Sequence, residues 1–153
     1  MKVVMVCLGN ICRSPLAEGI LREKVRQLGL NWTVDSAGTG GWHAGELPDE
    51  RSIHIAHQRG IDITNQRARQ FSRADFERFD HILVMDSSNY SNVLRLAQTE
   101  EHRSKVAMIL NYAYPEQDFS VPDPYYRGPD GFSEVYDLLD EACDAFLRAH
   151  HSI

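Results

Sequence analysis

No run of this chain approaches the roughly 20 consecutive apolar residues that a membrane-spanning helix requires, so no membrane role is expected. The apolar stretch from Val3 to Leu8 gives way to Gly9, Asn10 and Arg13. That is too early for a secretory leader, and no small-residue cleavage site follows; the chain is read as cytoplasmic. Cysteine is scarce. The three present, Cys7, Cys12 and Cys143, are an odd set in a chain without an export signal, which argues against a disulfide framework and for reactive thiols. No Cys and His spacing suits zinc, and the seven histidines are scattered, so no metal is expected. Basic charge is short as well: 16 Lys and Arg stand against 22 Asp and Glu, a net charge of -6. That disfavours a nucleic-acid binder but leaves room for a small, local anion pocket. With no repeat, low-complexity tract or Pro/Ser-rich linker, the 153 residues are expected to form a single domain, 1–153, with a core of ordinary size.

What is present alternates between strand and helix patterns. Val3 to Cys7 is an apolar run fit for a buried strand. Pro15 suits the first turn of the helix that follows, Leu21, Val25 and Leu28 recur at helical spacing, and Gly29 supplies the stop. Trp32 to Ser36 reads as a second strand and Pro48 to Arg59 as a helix ended by Gly60. Ser72 to Phe79 reads as a short helix capped by its opening Ser-Arg-Ala-Asp. His81 to Met85 is a third strand, Ser88 to Ala97 a helix, and Lys105 to Leu110 a fourth strand. The last helix carries Phe132, Val135, Tyr136, Leu139, Cys143 and Phe146 on one face, which places Cys143 in the core. The alternation implies an α/β fold, a doubly wound parallel sheet of four strands with helices on both faces. Ligands of such sheets bind beyond the carboxyl ends of the strands, where the winding reverses. With the first strand central, its exit loop is the site.

That loop is Cys7-Leu8-Gly9-Asn10-Ile11-Cys12-Arg13-Ser14. Gly9 and Asn10 can take left-handed backbone angles, so that successive amides turn inward as an anion-binding nest completed by a helix N-terminus. Five residues separate Cys7 from Arg13, enough for the loop to wrap a tetrahedral oxyanion between them. A guanidinium offers two parallel donors to such an anion. The helix end and the arginine favour a thiolate at Cys7, and the Ser14 hydroxyl can donate to it. Thiolate, nest and arginine together describe a nucleophile facing phosphorus. A nucleotide-binding P-loop is excluded, because no Gly-Lys-Ser/Thr follows the glycine.

With CLGNICRSP running into AEG, then DSAGTGGW, ARQ, MDSSN and DPYY in that order, the chain resembles the low-molecular-weight protein tyrosine phosphatases. The resemblance spans nearly the whole sequence. It implies a doubly wound four-stranded sheet, no metal or other cofactor, and a phosphocysteine intermediate. On it, Cys7 is the nucleophile and Arg13 the phosphate-binding arginine, with Leu8, Gly9, Asn10, Ile11, Cys12 and Ser14 completing the phosphate loop. Asn10 and Ser14 shape the loop and stabilise the thiolate. Ser36 is a partner of Asn10 behind the loop, and Cys12 matches a cysteine that pairs with the nucleophile on oxidation. Asp86, within MDSSN, supports Ser14 or the loop, or else caps a helix. Mammalian members often carry histidine just before ARQ, where this chain has Asn65.

Expelling a phenolate calls for a positioned carboxylic acid. Asp123, held between Pro122 and Pro124, suits that role, and the resemblance implies the same residue; Asp118 and Asp130 are its neighbours and competitors. Trp42, after the glycine-rich stretch 38–41, and Tyr125 are planar groups able to sandwich a phenyl ring in a cleft too deep for phosphoserine. Tyr126 is either a further wall or a packing residue, and in eukaryotic relatives the paired tyrosines are themselves phosphorylated. Ile11 gives the pocket an apolar lip where a sister branch that hydrolyses phosphoarginine has threonine. The expected activity is hydrolysis of phosphotyrosine and small aryl phosphates. The expected partner is a phosphotyrosine-bearing protein, a tyrosine kinase among the candidates, and neither nucleic acid nor membrane. Two other classes share the loop. A thioredoxin-coupled arsenate reductase needs two further relay cysteines, and only Cys143 follows; a non-catalytic phosphotyrosine-binding module would have lost the nucleophile or the acid, and both are present.

Overall fold

The computed structural model describes residues 1–125 and 127–151. Four strands, β1 (Lys2–Cys7), β2 (Thr33–Gly38), β3 (His81–Val84) and β4 (Val106–Met108), form one sheet in the order β2-β1-β3-β4. Every pairing is parallel, with Met5 level with Ser36 on one side and Leu83 on the other. Helix α1 (Arg13–Gln27) links β1 to β2, and α2 (Glu50–Gln58) and α3 (Ala74–Arg78) precede β3. Helices α4 (Ser87–Leu94) and α5 (Glu100–Ser104) precede β4, and α6 (Pro129–His150) closes the chain.

The side chains of β1 alternate between two cores. Val3, Met5 and Cys7 join α1, α2 and α6 on one face, whereas Val4 and Val6 meet Phe71, Phe76 and Val93 on the other. With both faces covered, β1 needs no polar alternation, which is why it appears in the sequence as an unbroken apolar run. The six apolar residues expected along one face of α6, Cys143 included, are all buried. Gly29 and Gly60 follow α1 and α2 with φ of 68° and 83°, the left-handed geometry that ends a helix at low cost only with glycine. Because β2 lies on one side of β1 and β3 on the other, the winding reverses between β1 and β3. A crevice opens there beyond the ends of both strands.

Three local expectations are corrected. β4 stops at Met108, and Ile109–Asn111 forms a 3₁₀ turn; an edge strand cannot extend past its only neighbour, and β3 pairs with it only through residues 82–84. Ser72 does not cap α3: its amide donates to Asp75 Oδ2 at 2.9 Å, so Asp75 supplies the capping contact in reverse. Helix α5 was not expected, although Thr99 caps it by accepting from the His102 amide at 3.0 Å.

Candidate active site

Cys7 is the last residue of β1 and Arg13 the first of α1, so the loop between them spans the switch point. The Cys7 sulfur lies 3.0 Å from Ser14 Oγ and receives the Asn10 amide at 3.3 Å. Asn10 Nδ2 donates both to Ser14 Oγ, at 2.7 Å, and to Ser36 Oγ, at 3.0 Å. Ser14 Oγ accepts from Asn10, and its own proton is shared between the sulfur at 3.0 Å and the more distant Ala37 carbonyl at 3.5 Å. Asn10 alone takes the left-handed angle, with φ 58°; the expectation that Gly9 would do so too is not met. The difference follows from the side chain, since Asn10 is pinned in place, its Oδ1 accepting the Arg69 amide at 3.0 Å. Gly9 serves by lacking a side chain, because a Cβ there would sit 3.1 Å from His43 Cδ2. Among the described residues, the amides of Gly9, Ile11 and Cys12 donate to no protein acceptor, which leaves them to an anion seated in the loop.

Arg13 is buried and held from behind. Its Nη1 donates to Asp86 Oδ2 at 2.8 Å and to the Val121 carbonyl at 3.0 Å. Burial opposes its charge, but Cys7, Asp86 and Asp123 outweigh that and hold it firmly protonated. Asp86 also caps α4 by accepting the Asn89 amide at 2.8 Å. The cap role and the support role therefore coexist, the support falling on Arg13 and not on Ser14. Asp123 Oδ2 stands 3.8 Å from Arg13 Nη2, and its Oδ1 accepts the Tyr125 amide at 3.1 Å. Val121 ties this loop to the end of β3 by donating its amide to the Met85 carbonyl at 2.8 Å. The competing aspartates lie elsewhere: Asp118 pairs with Asn111, and Asp130 sits in the first turn of α6 beside another groove.

These groups open on a cavity of about 290 Å³ lined by Cys7, Leu8, Gly9, Ile11, Cys12, Arg13, Trp42, His43, Asp123 and Tyr125. Trp42 and Tyr125 stand 69% and 41% exposed at its mouth. Tyr126, the other expected wall, lies outside the described residues. Asn10, Ser14, Ser36 and Asp86 do not line the cavity and act from behind it. Burial, and then the Asp49 charge, push the Cys12 thiol up to about 12. All three cysteines are free. Among the described residues, no group of three or more His, Cys, Asp or Glu is gathered to hold a metal ion, and no helix is long and apolar enough to cross a membrane.

Several contributors were not anticipated. His43 lines the cavity and pairs with Glu46 at 2.9 Å. Arg51 holds Tyr125 from outside, donating to its carbonyl at 2.9 Å with the guanidinium 5.1 Å from the ring centre. The residue ahead of ARQ that turns inward is Gln66 and not Asn65, which is exposed; Gln66 Nε2 donates to the Pro15 carbonyl at 3.1 Å. Glu18 is buried at the back of the loop, where Ser36 Oγ donates to its Oε1 at 2.7 Å and Arg22 pairs with its Oε2 at 2.8 Å. Burial outweighs both of these partners and pushes the Glu18 carboxyl up from its ordinary 4.5 to about 7.

A carboxyl raised in this way binds more protons folded than unfolded between the two values, so its stabilising effect is complete below about 4.5 and is lost as pH rises through about 7. Urea unfolding of the wild-type chain should lose about 3 kcal/mol across that window relative to Glu18→Gln, which cannot titrate. Parallel pH profiles for the two proteins would show that Glu18 is ionised throughout, with the Arg22 pair dominating.

A model of the low molecular weight phosphotyrosine protein phosphatase family matches residues 2–152. The low molecular weight phosphotyrosine protein phosphatase of Schizosaccharomyces pombe is 44% identical over 151 residues, covering 97% of this chain and 96% of that protein. Among solved structures, a Drosophila arginine phosphatase superposes with a TM-score of 0.92 at 37% identity over 99% of each chain. YfkJ of Bacillus subtilis superposes at 0.90 and 39% identity, over 97% of this chain and 93% of that one. Matched in sequence and in fold along nearly its whole length, the chain belongs to the low molecular weight phosphotyrosine protein phosphatases.

Proposed function

We propose that this enzyme hydrolyses phosphotyrosine in proteins, and small aryl phosphates, through a phosphocysteine on Cys7. The observation that carries the reading is the Cys7 sulfur, held between Ser14 Oγ and the Asn10 amide at 3.0 and 3.3 Å in the wall of a cavity that also presents Arg13 and Asp123. In the first step the Cys7 thiolate attacks phosphorus, the bond to the phenolic oxygen breaks, and Asp123 delivers its proton to that oxygen. Arg13 and the free loop amides take up the charge on the equatorial oxygens. In the second step Asp123 removes a proton from water, the water attacks phosphorus, and the P–S bond breaks to return the thiolate and inorganic phosphate. Ser14 favours the departing sulfur by hydrogen bonding to its charged form.

Substrate choice rests on the walls. A phenyl ring between Trp42 and Tyr125 gains about 1.5–3 kcal/mol of burial that a serine side chain cannot supply. Phosphate release from a phosphotyrosyl peptide should therefore exceed that from the matching phosphoseryl peptide by roughly 10- to 100-fold in kcat/KM. Because one structural neighbour is named an arginine phosphatase, free phosphoarginine belongs in the same assay. The apolar Ile11 at the lip offers its guanidinium no hydrogen bond, and slower turnover is expected. Equal or faster release from phosphoarginine would replace this reading. An arsenate reductase relay is disfavoured, since Cys143 is buried on α6 against the Ala17 carbonyl of α1. We place the enzyme in the cytoplasm, where a reduced Cys7 persists, and a phosphorylated tyrosine kinase fits as its substrate.

A further inference from the structure

A second groove, of about 570 Å³, begins where the active-site cavity ends, and Leu8 and Trp42 line both. The Trp42 indole approaches Gly40 so closely that a Cβ there would come within 1.4 Å of Cζ3. The side chain thus packs directly on the Gly40 backbone while its outer surface is open. Leu8 and Trp42 rank among the most exposed large apolar residues of the chain, and together they make a continuous apolar ridge from one cavity to the other.

The far side of this groove is cationic. Arg73 and Arg95 line it, and no carboxylate among the described residues does. Both are anchored by neutral acceptors, Arg73 Nε on the Leu96 carbonyl at 3.3 Å and Arg95 Nη1 on Asn92 Oδ1 at 3.1 Å. Neither has an ion-pair partner among the described residues, whereas Arg13, Arg22, Arg59 and Arg69 each hold a carboxylate. In a chain of net charge -6, two unneutralised arginines beside the catalytic cavity are a local reversal of the overall field. The buried hydroxyl of Thr39, another lining residue, has no hydrogen-bond partner among the described residues.

We propose that this groove is a subsite for the substrate polypeptide adjoining the phosphotyrosine, taking an acidic side chain within two or three residues of it. The proposal rests on the phosphotyrosine reading above. Leu8 and Trp42 wall both cavities, and each extended residue spans roughly 3.3–3.6 Å, so the groove is offered to residues close in sequence to the phosphotyrosine.

The test compares phosphotyrosyl peptides carrying Glu, Ala or Lys on the amino or the carboxyl flank, with para-nitrophenyl phosphate as a substrate that never enters the groove. Wild-type enzyme should prefer the Glu-flanked peptide on one side, and the preference should shrink with added salt. The Arg73→Glu, Arg95→Glu double variant should lose roughly 10-fold in kcat/KM on that peptide and keep its rate on para-nitrophenyl phosphate. Flank-independent turnover, or an equal loss on both substrates, overturns the subsite alone. Failure of the wild-type enzyme to hydrolyse para-nitrophenyl phosphate at all overturns the phosphotyrosine reading beneath it.

Discussion

Replacing Cys7 with serine should abolish turnover of para-nitrophenyl phosphate while the loop still binds phosphate or tungstate. The exchange alters one atom. Ser14 Oγ, the Asn10 amide and the Arg13 guanidinium keep the partners that position them, since Asn10 is fixed by Ser36 and Arg69 and Arg13 by Asp86 and Val121. What is lost is the nucleophile, because a serine hydroxyl has no ionised form near neutral pH and attacks phosphorus far more weakly than a thiolate. A loss of roughly 10⁵-fold or more in kcat is expected, the scale on which removing a nucleophile leaves only background catalysis. Calorimetric titration of tungstate into the variant should show affinity within about tenfold of wild type. Residual turnover within 100-fold of wild type would mean that the sulfur is not the attacking atom, and loss of both turnover and oxyanion binding would point to a collapsed loop.

The second large effect concerns Asp123. Asp123→Ala should slow hydrolysis of phenyl phosphate, whose leaving group has a pKa near 10, by roughly 10²- to 10⁴-fold, the usual worth of a positioned general acid. An activated nitrophenyl ester that departs without a proton should lose far less in the cysteine-phosphorylation step, as read from the pre-steady-state burst. Geometry supports this assignment over Asp118 and Asp130. Pro122 and Pro124 restrict the backbone on both sides, and the Tyr125 amide fixes Oδ1 while Oδ2 stays 3.8 Å from Arg13 Nη2, close to the phosphate site. Losses of equal size for good and poor leaving groups would take the proton-donor role away from Asp123.

The parts of the site that could be read from the chain are those local along it. Cys7, Asn10, Arg13 and Ser14 lie within eight consecutive residues at a strand-to-helix junction, and the Cys-x5-Arg spacing brings sulfur and guanidinium to one cavity. β1 was equally legible, because burial on both faces leaves it an uninterrupted apolar run, and α6 because its stripe repeats over many turns. The end of β4 was not, since a strand's length depends on its neighbour's hydrogen bonds, and α5, Glu-Glu-His-Arg-Ser, has no apolar stripe to mark it.

Spacing and residue type alone were enough to specify the fold class and to single out the loop 7–14 as the candidate site, while Asp123 was singled out with the help of the family resemblance. Three-dimensional packing was needed to decide how these are held. Glu18 meets Ser36, Arg69 meets Asn10, and Asp86 meets Arg13 across 18, 59 and 73 residues. No local pattern encodes such meetings, because which loops converge at the sheet's carboxyl edge depends on strand order. The same holds for the wall that Trp42 builds over Gly40 and for the unpaired arginines beyond it: a residue's charge can be read from its letter, but whether a partner neutralises it depends on which elements the fold brings alongside.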